Sequence, residues 1–289
     1  MKRILKKTAL FTVIVFMVFA LVASNGLTQK TLSTQRLPIK NCSDLPANQP
    51  FSQPCIETTK VSTSPTPIYL PSPNLQLTNQ QRFLTTITDK LPTIPQTGTF
   101  EYILLRAYGA AFVNKEPTVK LPPKVVFTNE QETKEYQATL ILGKVNNTNE
   151  CYLQKTAADA FNQARSQVHI PLKSGYGASD CTRSFATNLR FWRKYADSKT
   201  LEKVREGIET AILGIVAPPG SSQHLWGLAI DLYVSNQAQR QALSQHGWVQ
   251  TVENDMPHWT YIGYPQEKLT EFGFQSKVVR GITYWVTPL

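Results

Sequence analysis

A chain of 289 residues, 41% of them hydrophobic, can bury a core for one or two domains, which excludes a protein disordered throughout. Lysine and arginine number 30 against 20 acids, a formal net charge of +10 that suits an anionic partner. The cysteines number 4, without any C-x-x-C spacing, which argues against a cysteine metal site and for disulfides in an oxidising compartment.

The first residues, MKRILKK, are basic, and residues 8–23 form an uncharged apolar run closed by the small pair Ala23 and Ser24. Residues 1–24 are therefore expected to be a secretory signal. The run falls short of the roughly 20 residues a bilayer-spanning helix needs, so an uncleaved membrane anchor is the weaker alternative. Either way the rest of the chain is exported: periplasmic, wall-associated or extracellular. Lys2, Arg3, Lys6 and Lys7 precede the run with no acid among them, leaving about +6 for the remainder. Outside the cell no nucleic acid is expected, and a cell wall rich in carboxylates and phosphates is the natural anionic partner.

Residues 25–77, with stretches such as STSPTPIYLPSPNLQLT, are too polar and too rich in proline to offset their ordering entropy and read as a linker. Within them NCSDLPANQPFSQPC reads as a small stapled turn. Pairing Cys42 with Cys55 and Cys151 with Cys181 closes a short loop in each segment, although the sequence leaves three connectivities open. Residues 78–144 are expected to form a small β-rich region of unknown role, because GTFEYILLRAYGAAFVN alternates and EYQATLILGKV reads as a strand.

Residues 145–289 read as an α+β domain: a small antiparallel sheet with flanking helices. CYLQKTAADAFNQARSQV has apolar or small residues at helical spacing, and HIPLKSGY reads as a short strand entering a turn. Residues 185–196 and 201–212 are expected to be helices. A loop at Ala217, Pro218, Pro219 and Gly220 then leads into SSQHLWGLAIDLYV.

If residues 227–231 form a strand, Leu228 and Ile230 point into the core while Gly227, Ala229 and Asp231 share the other face. Two small residues leave room beside a carboxylate that is costly to bury alone, so a cation should fill that room. His224 lies just upstream, and Asp oxygen with His nitrogen suits zinc. A catalytic zinc keeps three protein ligands and leaves a position for water. Of His169, His246 and His258, the last sits in ENDMPHWTYIGY, three residues after Asp255 and ahead of a second apolar strand. His224, Asp231 and His258 are thus the candidate ligands, with Asp255 as base. The plainer alternatives are a metal-free buried cluster and, for Asp255, a turn cap beside Asn254 and Pro257. Ser222 lacks the G-x-S-x-G elbow of a serine hydrolase and reads as a residue that orients a ligand or the loop.

The pattern Ala217-x-Pro219-Gly220-x-Ser222-x-His224-x-x-Gly227-x-Ala229-x-Asp231, followed by Asp255-x-x-His258-x-x-Tyr261-x-Gly263, resembles the zinc D-alanyl-D-alanine carboxypeptidases of the VanY type. More broadly it resembles the peptidoglycan metallopeptidases with an S-x-H…D…H site. The resemblance implies zinc on His224, Asp231 and His258, and hydrolysis of a peptide bond in the wall stem peptide. Ser174-Gly175-Tyr176 looks like the start of the family's SGYRS turn, and the resemblance implies a substrate-binding place for Tyr176 in that turn and for Ser222 in the first motif. Two positions depart from the pattern. Asp255 stands where the carboxypeptidases have Glu, an acid that L-alanyl-D-glutamate endopeptidases use there, so such an endopeptidase is the alternative activity, and a non-catalytic zinc-containing wall-binding module is another. Gly177 stands where the family has Arg. After the six residues GASDCT the dipeptide Arg183-Ser184 follows, as if an insertion had split the turn, and Arg183 is the implied partner of the substrate carboxylate.

Overall fold

The computed structural model describes residues 76–289. The expected signal, nearly all of the linker and the Cys42–Cys55 pair lie outside the described residues. Among the described residues, no helix is long and apolar enough to cross a membrane.

The region expected to be β-rich instead has helices as its main regular elements. Thr78 and Gln81 form a capping box that starts α1 (Asn79–Ile87), and Thr99 and Asn129 cap α2 (Phe100–Tyr108) and α3 (Glu130–Gln137). A 3-10 turn, Gly109–Val113, extends α2. FEYILLRAY is a short, nearly continuous apolar run, the pattern in which periodicity does not separate a buried helix from a strand. Its residues Ile103, Leu104 and Leu105 are all buried. Only β1 (Leu142–Lys144) is extended, and it pairs antiparallel with β2 (Tyr152–Gln154).

The remaining elements are α4 (Lys155–Gln167), the single turn α5 (Gly177–Asp180), α6 (Phe185–Tyr195), α7 (Ser198–Arg205), β3 (Ala229–Asp231), α8 (Gln237–Gln245), β4 (Trp248–Val249), β5 (His258–Tyr261), β6 (Gln275–Val279) and β7 (Ile282–Val286). The expected helix over 201–212 stops early, because Gly207 takes a left-handed φ of 74° after α7. HIPLKSGY contributes a single bridge, Leu172 to Leu232, rather than a strand.

The central sheet has the antiparallel order β3-β5-β4. Its strands carry one hydrophobic core, which Trp226 and Trp248 share with Phe83, Leu104 and Phe112 of the helical region. The two parts also meet through polar contacts. Gln137 of α3 donates to the carbonyls of Arg183 (2.8 Å) and Leu225 (2.9 Å), and Glu130 accepts the backbone N–H of Ala186 at the start of α6 (2.7 Å). The helical region therefore braces the segments that carry the site.

Candidate active site

His224 lies in a 3-10 turn, Gln223–Trp226, that ends at Gly227 in the left-handed region (φ 66°). The positive φ favours glycine here, and a Cβ would also press on the backbone nitrogen of Gln154 at 3.1 Å. The strand consequently begins at Ala229, two residues later than expected. Leu228, Ala229 and Ile230 are all fully buried, so the strand is covered on both faces.

Strand register then assembles the site. Asp231 ends β3 directly opposite His258, the first residue of β5, and the turn before β3 swings His224 onto both. His224 Nε2 is 3.2 Å from Asp231 Oδ1 and 3.2 Å from His258 Nδ1, and His258 Nδ1 is 3.6 Å from Asp231 Oδ1. Ligands about 2.0–2.1 Å from a tetrahedral zinc stand about 3.3 Å from one another, so the three atoms are spaced as such a set.

The hydrogen bonds behind the imidazoles fix which nitrogens face inward. His224 Nδ1 donates to the Cys181 carbonyl at 2.8 Å. His258 Nε2 donates to Gln223 Oε1 at 2.8 Å; that amide is oriented by its Nε2, which donates to the Tyr108 carbonyl at 2.6 Å. Both acceptors carry no proton, so the outer nitrogens bear the hydrogens, and as neutral rings His224 and His258 would present the lone pairs of Nε2 and Nδ1 to one another and to a carboxylate oxygen. Three converging lone pairs repel unless a cation lies among them, and the donor set fits a zinc ion. Burial, reinforced by the Arg183 charge, lowers the pKa of His224 to about 4, which keeps it the neutral ligand a metal needs. Burial works against the Asp231 carboxylate, but His224 and Arg183 outweigh it and hold that group well below the usual range.

Asp255 sits on the turn into β5, where the N–H of His258 donates to the Asp255 carbonyl at 3.1 Å. Burial pushes its carboxyl up to about 6 against the pull of His258, and repulsion from Asp231 adds to the rise. Arg183 donates from Nη2 to Asp231 Oδ2 and from Nε to the Ser179 carbonyl, and its ring-facing side lies 4.7 Å from the Phe191 centroid. Its Nη1 has no partner among the described residues. Ser222 is buried, its carbonyl accepting from Leu225 at 2.9 Å, and Tyr176 is largely exposed.

His224, Asp231, His258, Asp255, Arg183, Ser222 and Tyr176 all line one cleft of about 700 Å³. His246 instead contacts Gln167 on the surface, 2.8 Å away, and belongs to no part of the cleft. The expected disulfide Cys151–Cys181 is present, with the Cα atoms 5.4 Å apart. At Gly177, where the resemblance places an arginine, a Cβ would lie 2.2 Å from the Asn149 carbonyl oxygen, so nothing larger fits there. Gln223 was hidden in a variable position of the motif, and the Cys181 carbonyl has no sequence signature at all.

A buried two-histidine, one-carboxylate group beside an elevated acid in a cleft is the arrangement of a metallopeptidase. Residues 150–277 match the family model VanY, D-alanyl-D-alanine carboxypeptidase. The match covers less than half of the chain and extends past the motifs into β6. No curated protein and no solved structure matches the chain significantly. The family acts on the cell wall, and the disulfide accords with an exported protein.

Proposed function

We propose that the protein is an exported zinc carboxypeptidase that removes the terminal D-alanine from peptidoglycan stem peptides ending in D-alanyl-D-alanine, with His224, Asp231 and His258 as the metal ligands. The observation that carries this reading is the convergence of three lone-pair donors, spaced for zinc, inside the region that matches that family. Zinc, when bound, lowers the pKa of a water toward about 7 and polarises a carbonyl oxygen.

The chain's own residues supply the rest. Asp255 takes a proton from the attacking water and delivers it to the departing amine as the peptide C–N bond breaks and a C–O bond forms. Arg183 holds Asp231 in place with one nitrogen and offers its unpartnered Nη1 to the terminal carboxylate of the substrate. Ser222 shapes the loop that sets His224, and Tyr176 covers the cleft mouth. Mass spectrometry of muropeptides after digestion tests the bond: loss of one terminal alanine is expected, whereas fragments cut inside the stem would assign the endopeptidase activity that Asp255 also suits.

A further inference from the structure

The cleft is far larger than two alanine residues fill; at about 700 Å³ it is the size of a pocket for a drug-sized ligand. One wall comes from α6, which contributes Arg190, Phe191, Lys194 and Tyr195 to the lining. Arg190 and Lys194 are four residues apart and therefore share a helix face. Each lies near the ring of the next residue, 5.4 Å from the Phe191 centroid and 5.1 Å from that of Tyr195. Neither has a hydrogen bond or ion pair among the described residues.

The acids of the same cleft do not answer these cations. Asp180 is occupied by the Ser174 N–H and hydroxyl and the Gly175 N–H, at 2.9, 2.8 and 3.0 Å. Asp231 is held by Arg183, and Asp255 is half-buried with no ion pair to either cation. Two exposed cations with no acid to meet them, on the wall of a cleft that runs on from the site, call for carboxylates that arrive with the substrate.

We infer that Arg190 and Lys194 form a subsite for a second carboxylate of the peptide, on a residue N-terminal to the scissile bond, and so select peptides whose side-chain carboxylate is free over those in which it is amidated. This rests on the carboxypeptidase reading. Contacts of this kind are charge-assisted but partly open to water, so the free acid should be favoured by about three- to thirtyfold in kcat/KM, mostly through KM. The preference should shrink as salt is raised.

The test uses two synthetic peptides ending in D-alanyl-D-alanine that differ only in one upstream carboxylate, free or amidated, and the zinc-loaded chain. The expected result is a preference for the free acid that falls to about one in the Arg190→Gln, Lys194→Gln double variant and inverts or vanishes in Lys194→Glu. Arg193→Gln removes the same charge from the same helix outside the cleft lining and should leave the preference in place. Both cations are exposed and without hydrogen-bond or ion-pair partners, so retained zinc content is the check that the variants fold. Equal turnover of the two peptides by the unaltered chain, or a preference that survives the double variant, overturns the subsite while leaving the carboxypeptidase reading intact. Absence of D-alanine release from both peptides overturns that reading and the subsite with it.

Discussion

The carbonyl of Cys181 accepts the Nδ1 hydrogen of His224 at 2.8 Å, and Cys181 is itself bonded to Cys151, so a disulfide holds the group that orients a candidate metal ligand. The bridge closes a loop over a separation of 30 residues, for which a chain-entropy estimate is about 3–4 kcal/mol of stability. Replacing both cysteines by alanine should lower the melting temperature and weaken zinc binding by about tenfold or more, since ligand-orienting partners commonly contribute 10- to 100-fold. Thermal unfolding with and without zinc, together with competition against a chelator, measures both. Unchanged zinc affinity in a folded variant would mean that the carbonyl keeps its place without the bridge.

Gln223 plays the same part for His258, and it also accepts from Thr260 at 2.8 Å. Gln223→Ala leaves the His258 Nε2 hydrogen without its buried acceptor and frees the ring to turn. Zinc affinity should fall by about 10- to 100-fold, read by the same competition, with the fold preserved.

Asp255→Asn should lower kcat by about 10²- to 10⁴-fold while zinc content stays at the level of the unaltered chain. Asp255→Glu should keep measurable activity, because the carboxypeptidases that the motif resembles place Glu there. Loss of zinc in Asp255→Asn would make the residue a ligand, and full turnover would make it a turn cap.

The acid limb of the pH profile follows from the same residue. Burial raises Asp255 to about 6 in the metal-free chain, a bound zinc would pull it down, and a base acts only when ionised, so kcat/KM should fall about tenfold per unit on an acid limb at or below that value. Stopped assays across pH 4 to 8 check it. An acid limb that persists unchanged in Asp255→Asn would place the base elsewhere.

Arg183→Ala should raise KM for peptides with a free C-terminal carboxylate more than for C-terminally amidated ones, because the unpartnered Nη1 is what the carboxylate would meet. Steady-state kinetics on the two peptides give the comparison. Equal losses on both would confine Arg183 to positioning Asp231.

The cluster proposed as metal ligands was legible because its members sit in two short segments where chemistry and chain geometry agree: a turn before a strand for His224 and Asp231, and a turn into the paired strand for His258. Strand alternation placed Asp231 correctly even though Gly227 proved to be the end of a turn, since the alternation depends only on the residues from Ala229 onward. What supports those ligands was not legible. Gln223 occupies a variable position, and the Cys181 carbonyl is backbone brought in from across the fold. FEYILLRAY was misread as extended because nine largely apolar residues carry no clear period, while the deciding signal was the Thr99 cap just before them. The bracing by Gln137 joins residues 46 and 88 positions apart, which no local pattern encodes.

The most direct test is a zinc titration of the chelator-stripped chain while D-alanine release from a peptide ending in D-alanyl-D-alanine is followed. Stripped protein should release none, activity should rise with added zinc and level off at about one equivalent, and His224→Ala, Asp231→Ala and His258→Ala should stay inactive across that range. Full release by the stripped chain, or a His258→Ala variant that titrates like the unaltered protein, would contradict the assignment of these three residues as the catalytic zinc site.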